Sequence, residues 1–317
     1  MSEVLLDVKG LKKYFPTKRG LLHAVDDVTF TIDRGKTLGV VGESGCGKST
    51  TGRAILRLLE PTGGQVLFEG EDVAALDKAA LRHKRKEMQI IFQDPFSSLN
   101  PRKTISQTIA EPLKLHHIID DNQERMQKVL EIMETVGLAE RFVNTYPHEL
   151  DGGRRQRIGI ARALALDPKF IVCDEPVSAL DVSIQAQILN LMNEIQEQRG
   201  LTYMFITHDL SVVNHFSDDI AVMYLGRLIE KAPSETLFAN PVHPYTQALL
   251  SAIPIPKVGG PKRERIILKG EITSPINPQP VCRFANRCAY ATDRCRSEEP
   301  QLKEIEKNHF VACFLAE

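Results

Sequence analysis

Hydrophobic positions along the chain fall into short continuous runs that are separated by amphipathic stretches. The runs at residues 38–41, 90–92, 170–173 and 203–206 have the unbroken apolar character of strands that are buried on both faces of a sheet. Between them, residues 123–136, 156–166 and 185–198 have apolar side chains at helical spacing. In the first of these helices, one apolar face is predicted to consist of Met126, Val129, Leu130, Met133 and Val136. Strands that alternate with helices predict an α/β fold with a largely parallel sheet.

The two ends of the chain depart from this alternation. Residues 5–33 have a looser pattern that is typical of antiparallel strands. After Pro241 the texture changes, and residues 254–265 are rich in Pro, Gly and basic side chains, which indicates a linker. Beyond it we expect one or two strands, a Pro-rich turn at residues 275–280 and a cysteine segment. We therefore predict a large domain over residues 1–255 and a small C-terminal domain over residues 256–317.

Composition narrows the class of protein. The 317 residues include 40 Lys and Arg against 41 Asp and Glu, so the chain lacks the basic excess that is typical of nucleic-acid binding, and we expect no nucleic-acid partner. No run of about 18 apolar residues occurs, and Met1–Lys9 has no apolar core of a signal peptide. These features indicate a cytosolic chain.

A phosphate-binding loop is the most specific motif. The pattern G-x-x-x-x-G-K-[ST] spans residues 42–49, including Glu43, and it follows the apolar run at 38–41 and precedes a helical stretch. The residues expected to bind the nucleotide are Gly42, Ser44, Gly45, Cys46, Gly47, Lys48, Ser49 and Thr50. Its backbone N–H groups converge on a β-phosphate at a helix N-terminus. We expect Lys48 to bridge the β- and γ-phosphates of ATP and Ser49 to bind Mg²⁺. The alternative is a glycine-rich turn that binds nothing, with Cys46 as a small filler rather than a reactive thiol.

Acidic residues follow a second buried run. Asp174 and Glu175 come directly after residues 170–173, where Asp174 suits Mg²⁺ and Glu175 could polarise an attacking water. Taken alone, such a pair is more often a solvated turn, but the phosphate loop makes the catalytic interpretation the stronger one. Asp181 lies in the next loop, and His208 follows the run at 203–206, at the end of a strand where the γ-phosphate is expected.

The order of these motifs resembles that of ATP-binding-cassette (ABC) transporter ATPases over residues 4–250. The resemblance implies a P-loop NTPase core with an antiparallel β subdomain and a helical signature subdomain at about residues 97–160. It makes Glu175 and His208 catalytic, Asp181 the D-loop residue and Gln93 the Q-loop residue that binds Mg²⁺ with Ser49 and Asp174. It places Tyr14, or the adjacent Phe15, on the adenine ring. The residues implied to contact ATP held by a partner subunit are Asp151, Gly152, Gly153 and Gln156.

One position departs from the family pattern. The signature motif usually has Ser where Asp151 stands and Gln where Arg154 stands. Asp caps a helix as well as Ser does, but an ionised carboxylate cannot donate a hydrogen bond to a phosphate. We therefore expect the motif to begin its helix normally, with Arg154 offsetting part of the charge, and to sense the γ-phosphate poorly.

Three further segments narrow the resemblance to the ATPase subunits of dipeptide and oligopeptide importers, and within them to the second of the two ATPases. These segments are residues 21–25, 93–101 and 240–250. The resemblance implies two transmembrane permease subunits, a paralogous ATPase, an extracytoplasmic peptide-binding protein as an indirect partner, and a peripheral position at the cytoplasmic face of the membrane. The alternatives are a nickel or other small-solute importer, a soluble cassette of DNA repair or translation, and a soluble redox-sensing ATPase.

Four of the six cysteines crowd the last 36 residues, namely Cys282, Cys288, Cys295 and Cys313. Four thiolates suffice for a [4Fe–4S] cluster or a structural Zn²⁺. The C-x-x-C knuckle that is common in zinc sites is absent, and some peptide-importer ATPases hold an iron–sulfur cluster in this tail. We therefore expect [4Fe–4S] with a structural role, with Zn²⁺ and unligated thiols as the alternatives.

Overall fold

A computed structural model describes residues 3–253, 265–270 and 273–316. These residues form two compact units. The helical unit consists of Asp33–Lys36 and Ala75–Ile206 together with Glu3, and the phosphate-loop unit consists of Val4–Ile32, Thr37–Ala74 and Thr207–Glu317. Nearly all of the expected linker, and the expected boundary between residues 255 and 256, lie outside the described residues.

The regular elements are as follows. The strands are β1 (Val4–Thr17), β2 (Gly20–Asp33), β3 (Thr37–Val41), β4 (Gly63–Phe68), β5 (Glu71–Asp72), β6 (Met88–Ile91), β7 (Phe170–Asp174), β8 (Thr202–Ile206), β9 (Asp219–Tyr224), β10 (Arg227–Pro233), β11 (Lys303–Glu306) and β12 (His309–Val311). The helices are α1 (Lys48–Ile55), α2 (Lys78–Lys84), α3 (Pro95–Ser98), α4 (Ile105–Leu115), α5 (Asn122–Thr135), α6 (Gly152–Leu164), α7 (Val182–Arg199), α8 (Leu210–Phe216), α9 (Ser234–Ala239), α10 (Pro244–Ser251) and α11 (Asp293–Ser297). All four strands predicted from continuous apolar runs are present.

The phosphate-loop unit contains an antiparallel sheet with the strand order β2-β1-β4-β5. Strands β1 and β4 pair in antiparallel register, with Leu6 opposite Phe68 and Val8 opposite Val66. All four side chains are buried, because alternate residues of each strand share the face that is turned to the core. The antiparallel pattern expected for the N-terminal segment is therefore confirmed.

The same unit contains the strand that leads to the phosphate loop. Strand β3 pairs in parallel with β9, and β9 turns back into the antiparallel strand β10. Strand β12 then pairs with β10, and β11 with β12. The strands of the C-terminal tail therefore extend a sheet that begins beside the phosphate loop. This brings the tail and the loop, which are far apart in sequence, into one compact unit.

The helical unit contains the parallel strands β6, β7 and β8 with helices α2 to α7. All five residues of β7 and of β8 are buried, which explains why β7 is apolar up to its last residue, Asp174, and β8 is apolar after its first, Thr202. Helix α5 corrects one expectation. Its buried residues are Val129, Ile132 and Met133, whereas Met126 is 40% exposed. Met126 lies in the first two turns, before the first buried residue of the helix, Val129.

Membrane-spanning potential was searched over the described ranges. Within them, no helix combines the length and the apolar character that crossing a bilayer requires.

Candidate functional site

The phosphate loop joins β3 to α1, as its sequence predicts. Gly47 precedes α1 with a φ of 105°, and a Cβ at this position would lie 2.1 Å from the backbone oxygen of Ala24. Only glycine tolerates both conditions. The Nζ of Lys48 lies 2.8 Å from the Gly42 oxygen and 3.1 Å from the Glu43 oxygen. The loop thus presents a cation and a helix N-terminus in one place, as triphosphate binding requires.

Cys46 fills space inside this loop. Its side chain is 3% exposed, and burial raises the pKa of its thiol above the ordinary value. A buried thiol with a raised pKa is a poor nucleophile. The structure therefore supports the interpretation of Cys46 as a filler rather than a reactive group.

Tyr14 is held by a small network beside the phosphate loop. Its ring stacks on His23 with a centroid distance of 3.9 Å, and its hydroxyl donates to Asp26. His23 Nδ1 lies 3.0 Å from the same carboxylate. Burial acts to raise the pKa of Asp26, but the hydrogen bonds from Tyr14 and His23 and the nearby guanidinium groups lower it to about 2. Asp26 is therefore a carboxylate at any physiological pH and fixes the Tyr14 ring.

The acidic pair lies at the end of β7 in the helical unit. Asp174 is 1% exposed, and Glu175 has a φ of 49°. A non-glycine residue in this left-handed region is uncommon and is enriched at functional sites. Gln93 donates through Nε2 to Oε2 of Glu175 at 3.1 Å. The structure thus brings together the predicted Q-loop glutamine and the predicted catalytic carboxylate, which are 82 residues apart.

The signature segment lies at the start of α6. Asp151 accepts a hydrogen bond from the Arg154 backbone N–H at 2.8 Å, so it caps the helix as expected. The Arg154 side chain lies 2.7 Å from the other Asp151 oxygen. The negative charge of Asp151 is therefore paired with the positive charge of Arg154 within the motif itself.

Two other residues of the motif are closely packed. A Cβ on Gly153 would lie 2.8 Å from the Ile184 side chain of α7, and Gln156 is buried.

Two other predicted residues lie at helix starts. Asp181 caps α7 by accepting from the Ile184 N–H at 3.0 Å. His208 belongs to the phosphate-loop unit, follows β8 directly and is exposed. Neither position conflicts with the role that the resemblance implies.

Tyr245, in the segment after β10, contacts the phosphate loop, and the sequence did not reveal this contact. The Tyr245 hydroxyl accepts from the Glu43 backbone N–H at 2.9 Å. Glu230 is fully buried and accepts from the N–H groups of Val242 and His243, while His309 lies 2.9 Å from the same carboxylate. Buried charges are stable only with such partners. Glu230 therefore ties the loop at 241–243 to strand β12.

All four tail cysteines line one narrow cavity. Its volume is about 10 Å³, just enough for one water molecule. Burial raises the pKa of the Cys282 thiol to about 11, and it also raises the pKa of Cys288 and of Cys313. Thiols of this kind must lose protons to bind a metal. Among the described residues, no group of three or more His, Cys, Asp or Glu side chains has metal-binding geometry. The four thiols thus line one cavity without forming a metal site.

The fold and these motifs define a nucleotide-binding, ATP-hydrolysing chain of the ABC type. Residues 25–178 match the family described as ABC transporter, and residues 229–295 match the oligopeptide/dipeptide transporter, C-terminal region. The chain belongs to this ABC transporter family and to its oligopeptide/dipeptide branch.

Individual relatives match this chain over nearly its whole length. It is 54% identical to the oligopeptide transport ATP-binding protein AppF of Bacillus subtilis, over 99% of this chain and 98% of that protein. It is 52% identical to the oligopeptide transport ATP-binding protein OppF of the same organism, over 100% and 98% of the two chains. Among solved structures, the ATP-binding cassette MJ0796 in a dimeric post-hydrolysis state bound to ADP and Pi has a TM-score of 0.67 at 30% identity. That match covers 72% of this chain and 98% of the other.

Proposed function

We propose that this chain hydrolyses ATP to power the import of oligopeptides or dipeptides through a membrane permease. The observation that carries this proposal is similarity over the full length, including the C-terminal region at 229–295, to proteins that are described as oligopeptide transport ATP-binding proteins. The partners are two transmembrane permease subunits, a paralogous ATPase subunit and, indirectly, an extracytoplasmic peptide-binding protein. The chain is peripheral at the cytoplasmic face, and residues 1–255 form its nucleotide-binding domain.

The proposed chemistry uses residues that lie at or just after the ends of strands β3, β6, β7 and β8. Lys48 would bind the β- and γ-phosphates, and Ser49, Gln93 and Asp174 would hold Mg²⁺, which would neutralise charge that develops on the phosphates. Glu175 polarises the attacking water, and His208 contacts the γ-phosphate. The hydrogen bond between Gln93 and Glu175 supports this assignment, because it lets one side chain sense the state of the other. Tyr14 packs against the adenine ring.

Peptide transport is tested with the assembled importer. The chain is reconstituted in proteoliposomes with its permease subunits and a paralogous ATPase, and hydrolysis is measured with and without the peptide-loaded binding protein. We expect hydrolysis to rise several-fold with peptide and to stay at its basal level in Glu175→Gln, which retains ATP binding. Stimulation by Ni²⁺-loaded binding protein instead of peptide would support the nickel-importer alternative and reject peptide import.

The acidic signature residue bears on subunit pairing. Asp151 and Arg154 pair at 2.7 Å and both are about half exposed, so a phosphate that approaches this helix start meets a carboxylate whose charge is only partly offset. Two identical chains would present this arrangement at both ATP sites. We therefore propose a heterodimer in which the paralogue supplies an uncharged signature residue.

The heterodimer proposal is tested by light scattering with ATP in the Glu175→Gln background, where closed dimers persist. The chain alone should be mainly monomeric. Asp151→Ser should increase ATP-dependent self-association, because it removes a charge and restores a hydrogen-bond donor. Self-association equal to that of the parent would show that Asp151 is only a helix cap.

For the tail at 256–317, we propose a [4Fe–4S] cluster on Cys282, Cys288, Cys295 and Cys313. The four thiols line one cavity, and four cysteines are the donor set that this cluster takes. When bound, it would act as a structural clip. The cavity of about 10 Å³ would have to enlarge to hold the cluster, and Zn²⁺ is the alternative metal.

The tail proposal is tested by metal analysis of protein purified without oxygen. We expect about four irons and four sulfides per chain and a broad absorption near 400 nm. Cys288→Ser should lose the iron, whereas Cys173→Ala, a cysteine in β7, should keep it. Stoichiometric zinc without iron in the anaerobic protein would reject the cluster.

A further inference from the structure

The residues between the first two tail cysteines reach the ATP site. We call residues 283–287, which separate Cys282 from Cys288, the arginine loop. Arg283 contacts Asp26, Phe284 packs on Tyr245, and Arg287 pairs with Glu43 of the phosphate loop. These contacts lie within the phosphate-loop unit. A short segment of the tail thus contacts both Asp26, which holds Tyr14, and Glu43 of the phosphate loop.

Arg287 neutralises a carboxylate in the phosphate loop. Its Nη1 and Nη2 lie 2.7 and 3.0 Å from the two oxygens of Glu43, which is a two-point pairing. The Arg287 side chain is only 8% exposed, so little water screens the pair. Without Arg287, Glu43 would place a free negative charge in the loop that receives a triphosphate.

Arg283 acts at the adenine end. It donates through Nη2 to the same carboxylate of Asp26 that accepts from the Tyr14 hydroxyl, and through Nη1 to the Leu225 backbone oxygen. The Arg283 side chain is 7% exposed. Buried hydrogen-bond chains of this kind hold their members in one geometry. Arg283 therefore fixes the carboxylate that orients the Tyr14 ring.

We propose that Arg283 and Arg287 are positioning residues of the ATP site, through which the cysteine tail sets the affinity for nucleotide. Neither residue needs to touch ATP. Arg287 acts on the triphosphate through Glu43, and Arg283 acts on the base through Asp26 and Tyr14. The effect of Arg283 rests on the role proposed for Tyr14, whereas the effect of Arg287 does not.

The two halves are separated by comparing two ligands. Mg²⁺-ATP has both base and phosphates, whereas inorganic tripolyphosphate has only the phosphates, and binding of each to the full chain is measured by calorimetry. Arg287→Met should weaken both ligands about tenfold, because the exposed Glu43 charge repels any polyphosphate. Arg283→Met should weaken ATP about fivefold and leave tripolyphosphate unchanged. Wild-type affinity for both ligands in both variants would overturn the proposal.

A rescue distinguishes charge neutralisation from simple loss of structure. Adding Glu43→Gln to Arg287→Met removes the uncompensated carboxylate, and it should restore tripolyphosphate affinity to within about twofold of Glu43→Gln alone. No recovery would refute the action through Glu43. Should Arg287→Met fail to fold, Arg287→Lys carries the same test with a loss of about threefold, because lysine keeps the charge but not the two-point pairing.

Two further variants complete the design. Arg294 stands beside Cys295 as Arg287 stands beside Cys288, but it pairs with Glu298 and stacks on Phe314 inside the tail. Arg294→Met should bind both ligands like the wild type, and a comparable loss there would show a general effect of tail arginines. Tyr14→Ala should weaken ATP but not tripolyphosphate. If Tyr14→Ala has no effect, the role of Tyr14 fails; if only Arg283→Met has none, the proposal for Arg283 fails.

Discussion

The phosphate loop and the signature segment both stand at a helix start, yet their contacts are arranged in opposite ways. Around the phosphate loop, Glu43 is contacted by Tyr245 and Arg287, which are 202 and 244 residues away. In the signature segment, Asp151 pairs with Arg154, three residues away, and Arg155 donates to the oxygens of Pro147 and His148. One site depends on the whole unit, and the other mainly on its own sequence.

This difference determines which substitutions each of the two segments tolerates. Asp151 can be replaced with consequences that stay within one helical turn, because its side-chain hydrogen bonds go to Arg154, so this unusual residue is compatible with an intact fold. A residue behind the phosphate loop cannot be replaced in this way, because several distant segments share its contacts. We therefore expect substitutions near the first site to cost global stability or affinity, and substitutions at the second to have small local costs.

The largest effect is expected at Glu230, which supports the phosphate-loop unit from inside. Glu230→Ala removes a buried carboxylate that accepts from two backbone N–H groups and lies beside His309, and it should lower the free energy of unfolding by about 3–5 kcal/mol. Urea denaturation measures this. Glu235→Ala, at an exposed position in α9, is the matched control and should change stability by less than about 0.5 kcal/mol. Equal stabilities would contradict the distant-support interpretation.

The next effect concerns Lys48 and affinity rather than stability. Lys48→Ala removes the buried cation of the phosphate loop and should weaken ATP binding by about 2–3 kcal/mol, or roughly 30- to 150-fold. Asp151→Ser in the isolated chain should leave ATP affinity unchanged, since the signature is proposed to contact the partner's nucleotide. Calorimetry on both variants tests this division, and unchanged affinity in Lys48→Ala would count against the phosphate-loop assignment.

A smaller effect is expected at Gly153 in the signature helix. Gly153→Ala places a methyl group 2.8 Å from Cγ2 of Ile184, which must shift, and should destabilise the chain by about 1–2 kcal/mol. Gly159→Ala in the same helix meets nothing within 4 Å and should stabilise it by about 0.5–1 kcal/mol. Thermal unfolding of the two variants should therefore shift in opposite directions, and shifts of the same sign would refute the packing argument.

The smallest effect is the loss of the cap at Asp151. Asp151→Ala removes the acceptor for the Arg154 N–H and should cost about 1 kcal/mol, whereas Asp151→Ser keeps an acceptor and should cost only a few tenths. The same unfolding measurement distinguishes them. If both substitutions cost the same, the carboxylate acts mainly through its pairing with the Arg154 side chain.

Sequence patterns predicted the elements whose cause is local. The four strands were predicted because each contains a short continuous apolar run, although Gln89 and Ile90 of β6 are only half-buried, and the phosphate loop was predicted because its glycines are needed at fixed spacing. The face of α5 was partly wrong at Met126, since helical spacing does not tell where along a helix the core begins. Strands β9 and β10 went unpredicted, although β10 contains the buried Glu230.

The contacts that position the ATP site were beyond reach from sequence. Nothing in the spacing of Arg287 and Glu43 signals that they pair, because an ion pair across 244 residues leaves no periodic pattern. For the cysteines, proximity in sequence did predict proximity in space, since all four line one cavity. Whether these thiols bind iron stays a prediction.

The contacts that Glu43 and Asp26 make with the C-terminal tail can form only late in the synthesis of the chain, because they join residues that are far apart in sequence. Glu43 and Asp26 leave the ribosome early, but their partners Arg287 and Arg283 are added 244 and 257 residues later. At roughly 5–20 residues per second, that interval is on the order of 12–50 s. During it, the phosphate loop exists with an unpaired carboxylate, so the growing chain passes most of its synthesis with a nucleotide site that is not yet complete.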